Sequence, residues 1–178
     1  MIEKTRHQIT ADHPIRALFR KLTERGMSHL NLHDRDTIQY ITDLLTEFVQ
    51  MENMYRIKDK SGDRVEYLFD MLTQAGSEMS PSVRREYYKH LGDLMLFNLG
   101  LFPEHLIYGH RAVSPGYYAE TGRRSYTIVA QMESQTRGTI VYRKLSQQFE
   151  QCVVGLNWVK LYINDPFYQY VFREFEIT

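Results

Sequence analysis

The stretch SPSVRREYYKHLGDLMLFNLG, from Ser80 to Gly100, decides how the chain is read. Ser80 can accept from exposed amides as an N-cap, and Pro81 fits the first helical turn, where its missing N–H would have no partner. Val83, Tyr87, Leu91 and Leu94 then step by four, four and three, the spacing of one helical face. Beyond Leu94 the residues are apolar on every side (Met95, Leu96, Phe97, Leu99), so the helix is expected to enter the middle of a domain, with Gly100 placed to end it.

The same punctuation recurs along the chain. His13-Pro14, Ser114-Pro115 and Asp165-Pro166 each read as helix starts, with Asp12 as the expected cap for the first and Ser114 and Asp165 for the others. Ile38, Ile41, Leu45 and Phe48 form a stripe that begins after Asp34 or Asp36. Val65, Leu68, Phe69 and Leu72 predict a shorter helix ended by Gly76. Val141, Leu145, Phe149, Cys152, Leu156, Val159 and Ile163 make the longest stripe and predict one helix of about six turns. No sustained period-two alternation competes. The expectation is an all-α fold: a single domain over 1–178, a bundle of six or seven helices whose buried central helix starts near Pro81. Gly92 and Gly155 lie inside helices, each costing about 1 kcal/mol against alanine, which predicts tight helix contacts, the two with each other as one arrangement.

Composition bounds function mainly by exclusion. Lys plus Arg and Asp plus Glu number 22 each, so no net charge draws the chain to nucleic acid or anionic lipid. The single cysteine, Cys152, excludes an intramolecular disulfide and points to a reducing, cytoplasmic setting. The N-terminus has no apolar segment of the secretory kind, and the longest apolar stretch falls far short of the about 20 residues of a membrane helix. The expectation is a soluble protein without a membrane partner.

At His90-Leu91-Gly92-Asp93, Leu96-Phe97 and Gly100-Leu101-Phe102-Pro103-Glu104 the sequence resembles a family of uncharacterised bacterial proteins. The likeness resumes at Tyr118, Gly122, Ser125 and Tyr126, and again from Phe149-Glu150-Gln151-Cys152 to Gly155-Leu156-Asn157. It spans roughly residues 86 to 160. It implies a soluble bacterial helical protein and brings no activity and no functional residues with it.

One polar stripe invites chemistry. Glu86, His90, Asp93 and Phe97 are spaced four, three and four, so a carboxylate can stand beside an imidazole and set its tautomer. Tyr118, Gly122, Ser125, Val129 and Met132 form a second stripe whose small residues leave either a close helix contact or a cavity. Arg123 and Arg124 flank it, with a guanidinium fork suited to an anion. His90, Asp93, Tyr118, Ser125 and Arg124 are therefore the candidate ligand-binding residues. The bland reading of the same residues is packing, with Glu86 and the arginines solvated.

Metal and cofactor signatures are missing: no Glu-x-x-His, no multi-cysteine pattern, no phosphate loop, no nucleophile elbow. His29 and His33 fall in a connecting loop, as do His105 and His110. Cys152 lies on a core stripe, where a thiol is held protonated and inert. No cofactor and no metal is expected. The function class favoured is a non-enzymatic interaction or regulatory module, acting through helix faces on a protein partner or as a homodimer, with Tyr168, Tyr170 and Phe172 among its contact aromatics. The alternative is a small-molecule-binding protein or enzyme using a pocket near His90 and Asp93.

Overall fold

The computed structural model describes residues 13–56, 80–104, 114–133 and 137–166, the side chains of 49–56 and 137 excepted. Six helices are found among them: α1 (Pro14–Ser28), α2 (Arg35–Arg56), α3 (Pro81–Leu101), α4 (Pro115–Met132), α5 (Arg137–Gln147) and α6 (Phe149–Ile163). The described residues contain no strand. The chain is an all-α bundle. The helix expected over Val65–Leu72 lies outside the described residues.

The starts at Pro14, Pro81 and Pro115 open helices with capped ends, with one correction, while the residues after Pro166 lie outside the described ones. Ser80 Oγ accepts from the Val83 amide and Ser114 Oγ from the Tyr117 amide. Asp34 opens α2, accepting from both the amide (2.9 Å) and the hydroxyl (2.7 Å) of Thr37. At Pro14 the cap is His13, not Asp12: its Nδ1 accepts from the Ile15 amide at 3.2 Å. Between α1 and α2, Asn31 takes the left-handed conformation (φ 56°), which lets the Leu32 amide return to the Met27 carbonyl at 3.1 Å.

The helix that starts at Pro81 is the central one. From Leu91 to Leu101 every residue but Asn98 is buried, with α4 along one side and α6 along another. Helix α1 packs on α2 and α6, and α5 lies mainly against α4. The single long helix expected over residues 141–163 is instead two, parted at Gln148, whose φ of −115° and ψ of 25° leave the helical region. The apolar stripe still holds, since Val141, Leu145, Phe149, Cys152, Leu156 and Val159 are all buried. The break turns α5 toward α4 while α6 runs between α1 and α3.

Both helix-interior glycines sit in tight contacts, but with different neighbours. A Cβ on Gly92 would stand 2.9 Å from the Tyr126 ring, while one on Gly155 would strike the Met27 sulfur. Gly26 completes the crossing of α1 and α6, because a Cβ there would lie 2.5 Å from the Gly155 carbonyl oxygen. Backbone cannot swing aside as a side chain can. Gly26→Ala should therefore lower stability by about 1–3 kcal/mol despite its better helix propensity, and more than Gly155→Ala, where the flexible Met27 can yield. Urea unfolding of both variants checks the order; an unchanged midpoint for Gly26→Ala would mean the crossing is looser than described.

Candidate functional site

The polar centre of the bundle is built on Asp93. Helix α3 carries it inward one turn after Lys89, and only 2% of its surface is exposed. A carboxylate so far from water is tolerated when its oxygens are filled by donors. Tyr40 of α2 donates to Oδ1 at 2.6 Å and Tyr126 of α4 to the same oxygen at 2.8 Å. Lys89 closes the other side, its Nζ 2.7 Å from Oδ2. Three helices are joined at one side chain.

Aromatic rings wall this group. Tyr40 meets Tyr126 and Tyr142 edge-on, with centroids 6.2 and 5.5 Å apart, and Tyr126 stacks on Tyr142 at 6.0 Å. The Lys89 ammonium lies 5.6 Å from the Tyr40 centroid, and the Arg85 guanidinium 5.7 Å from that of Tyr142. Arg85 also bonds Glu86 and Glu133, tying the start of α3 to the end of α4.

The electrostatics follow from burial and one negative charge. Burial, reinforced by Tyr126 and Asp93, raises the Tyr40 phenol far above its ordinary value. Tyr126 is raised in the same way, by burial first and Asp93 second. Burial alone would lower Lys89, but the Asp93 carboxylate outweighs it and the ammonium is held more firmly than usual. His90 goes the other way: burial depresses it, with Asp93 only partly opposing.

The sequence-derived candidates are distributed around this centre rather than gathered in it. His90 is half-buried, its ring 6.0 Å from that of Phe48, and it makes no hydrogen bond among the described residues. Asp93 is thus held by two tyrosines and a lysine, not by the imidazole. Ser125 is buried and returns its hydroxyl to the Thr121 carbonyl of its own helix at 2.8 Å. Tyr118 is buried, and its hydroxyl has no hydrogen-bond partner among the described residues. Arg124 is exposed, as are Glu86 and Arg123, the last paired with Glu120. At Gly122 the small-residue stripe is filled: a Cβ there would run into Phe149 and lie 2.8 Å from the Met95 Cβ. Of the two arrangements that stripe allowed, the close helix contact is the one formed at this position.

Four members of the centre, Lys89, Tyr40, Tyr126 and Tyr142, were not singled out from sequence as site residues. Lys89 had a signal, being four residues before Asp93 on the same helix. Tyr40 and Tyr142 had none beyond belonging to a set of 13 tyrosines.

A second cluster lies on the surface. His29, the C-cap residue of α1, stacks on Trp158 of α6 with centroids 4.3 Å apart, and its Nε2 is 2.6 Å from the Tyr162 hydroxyl. Arg25 caps the Tyr162 ring, its Cζ 4.5 Å from the centroid. Trp158 is 38% exposed, and its helical neighbours Val154 and Leu161 are 44% and 60% exposed. Helix α6 is therefore apolar on both sides: one buries Cys152, Leu156 and Val159 while the other faces water. The Cys152 thiol is pushed up to about 12 by its burial, which keeps it neutral and unreactive.

No known relative tells these clusters apart. No family model matches the chain, and neither the curated proteins nor the solved structures contain a match. Among the described residues, no three His, Cys, Asp or Glu side chains are grouped to hold a metal ion, and no helix is long and apolar enough to cross a membrane. The expected contact aromatics Tyr168, Tyr170 and Phe172 and the pair His105/His110 lie outside the described residues.

Two predictions follow from the buried centre. Asp93→Ala strands two phenols and an ammonium and should cost about 3–5 kcal/mol, whereas Tyr126→Phe, losing one donor, should cost about 1–3 kcal/mol. Chemical denaturation of both variants measures the gap, and near-equal losses would show that Asp93 is not the hub.

The pH profile should fall at both ends. The folded state holds Tyr40 and Tyr126 protonated where the unfolded chain releases those protons, so stability declines as pH rises past about 10. The depressed His90 stays neutral where the unfolded chain takes up a proton, so its contribution is lost as pH falls below about 6.5. Denaturation from pH 5 to 8 should show that acid slope in the native sequence and a shallower one in His90→Gln; identical slopes would refute the assignment.

Proposed function

We propose that this chain is a non-enzymatic protein–protein interaction module whose docking face is the outer side of α6 with the end of α1. The single observation behind this reading is the exposed row Val154, Trp158 and Leu161, held flat by the stack of Trp158 on His29. Tryptophan on an ordered backing is the residue type that most often anchors protein contacts, and adjacent apolar residues extend the area from which a partner excludes water. The interior supports the same reading by default. Asp93 already has donors on both oxygens, Ser125 is satisfied on its own helix, and the side of α4 at Gly122 is occupied by Phe149. A pocket at His90 and Asp93 serving a small molecule has less support.

The lone, buried cysteine fits a reducing cytoplasmic setting, and the balanced charge argues against nucleic acid as the partner. Membership of the bacterial helical family that the sequence resembles is part of the same proposal. Most residues that carry that likeness are buried, among them Leu91, Gly92, Asp93, Gly122, Tyr126, Phe149, Cys152, Gly155 and Leu156, while Glu150 and Gln151 are exposed; a shared packing scheme would account for the buried ones.

A photo-cross-linking amino acid at position 161, compared with one at exposed position 84 on α3, tests the docking face in intact cells. Discrete adducts of defined protein composition are expected from position 161 and not from 84, and Trp158→Asp should remove them. Equal labelling from both positions would end the proposal.

A further inference from the structure

Glu150, Val154, Trp158 and Tyr162 follow one another at four-residue intervals and so form a single ridge along α6. Glu150 and Trp158 are exposed, and Arg25 lies over Tyr162 at the far end of the row, about 18 Å along the axis from Glu150. Neither Glu150 nor Arg25 forms an ion pair among the described residues. Among the described residues, the ridge thus has an acid without a salt bridge at one end, with only the exposed Arg123 acting on it through space, a base of α1 without a salt bridge beside the other end, and a small and a large apolar residue side by side at its middle.

That pattern is complementary to itself. Resting on the interaction reading above, we propose that the occupant of this face is a second copy of the chain, with the two α6 helices antiparallel about a two-fold axis between Val154 and Trp158.

The operation brings Val154 of each copy against the indole of the other, so the smaller side chain meets the larger. It also carries Glu150 to Tyr162 of the second copy, beside Arg25, and symmetry makes this pairing twice. Leu161 then lies over the exposed Gln151 of the second copy, whose aliphatic stem can cover it. Antiparallel helices also set opposite dipole ends together. A formal net charge of zero leaves no long-range repulsion between copies. A parallel arrangement has none of this, since it would place Glu150 on Glu150 and Trp158 on Trp158.

An interface of one helix pair is small, so the dimer is expected to form at concentrations on the order of 10–100 µM. Sedimentation equilibrium of the full chain across that range should show a monomer–dimer transition that Leu161→Asp abolishes. Glu150→Arg and Arg25→Glu alone should each weaken association about tenfold at low salt, since both pairs become like-charged. An equimolar mixture of these two variants, and the double variant, should recover it, because opposite charges again face each other. Circular dichroism matching the native sequence shows that the variants remain folded. A native chain that stays monomeric throughout, or a dimer indifferent to charge reversal and to Leu161→Asp, overturns the proposal. If the chain is monomeric but position 161 still cross-links to a different protein, the second-copy assignment fails and the docking face stands; if neither association nor cross-linking occurs, both fail.

Discussion

A carboxylate without water around it must have its charge answered locally, and the bundle is arranged so that Asp93 is answered by three elements. Tyr40 reaches in from α2, Tyr126 from α4, and Lys89 from the preceding turn of α3 itself. An apolar residue at position 93 could fill the space, but it would not fix which tyrosine faces which. Hydrogen bonds with definite directions do. They set the rotation of α3 about its own axis and hence the side that the apolar run from Leu94 to Leu101 turns to α4 and α6. Tyrosine suits positions 40 and 126 because a phenol supplies a large ring for packing and a hydroxyl where the charge needs one.

How much of this was legible depends on how local the chemistry is. Ser80 and Ser114 could be read as caps because a cap involves only residues within a turn, and Pro81 and Pro115 marked the same places; the start of α2 was narrowed only to Asp34 or Asp36, and the structure selects Asp34. The cap at Pro14 was misread because Asp12 and His13 both carry an acceptor, and the choice rests on how the chain enters the helix. The stripe Val141–Val159 was legible as a buried face but not as two helices. A break at Gln148 leaves no proline or glycine behind, and it serves two different neighbours that the sequence does not name. The candidate site divides in the same way. The apolar residues after Asp93 carry it into the interior, and Lys89 stands within reach on the same helix. That Tyr40 and Tyr126 would meet it is a tertiary fact, separated by 53 and 33 residues. The small residues of α4 were ambiguous in principle, because a gap beside Gly122 is a cavity until something from elsewhere, here Phe149, fills it.

The contrast between the two polar clusters bears on function. Around Asp93 the polar atoms satisfy one another, and the reward for that closure is a fixed core. At the junction of α1 and α6 the groups are equally ordered but open to water. His29, Trp158, Tyr162 and Arg25 support one another in a continuous stack, while the hydrophobic neighbours Val154 and Leu161 remain uncovered. Ordering an aromatic surface before it meets anything reduces the entropy lost when it does. Beneath it, the glycine crossing of α1 and α6 brings the two backbones close enough for the stack to span both helices.

The stack of His29 on Trp158 also gives the molecule a built-in optical probe. The chain has a single tryptophan, so all indole emission comes from this one place. An imidazole stacked on an indole quenches its emission, so brightness registers the contact between the two rings. Because the two rings belong to different helices, any parting of α1 from α6 changes the same signal. Fluorescence of the unlabelled chain therefore follows the integrity of that junction directly.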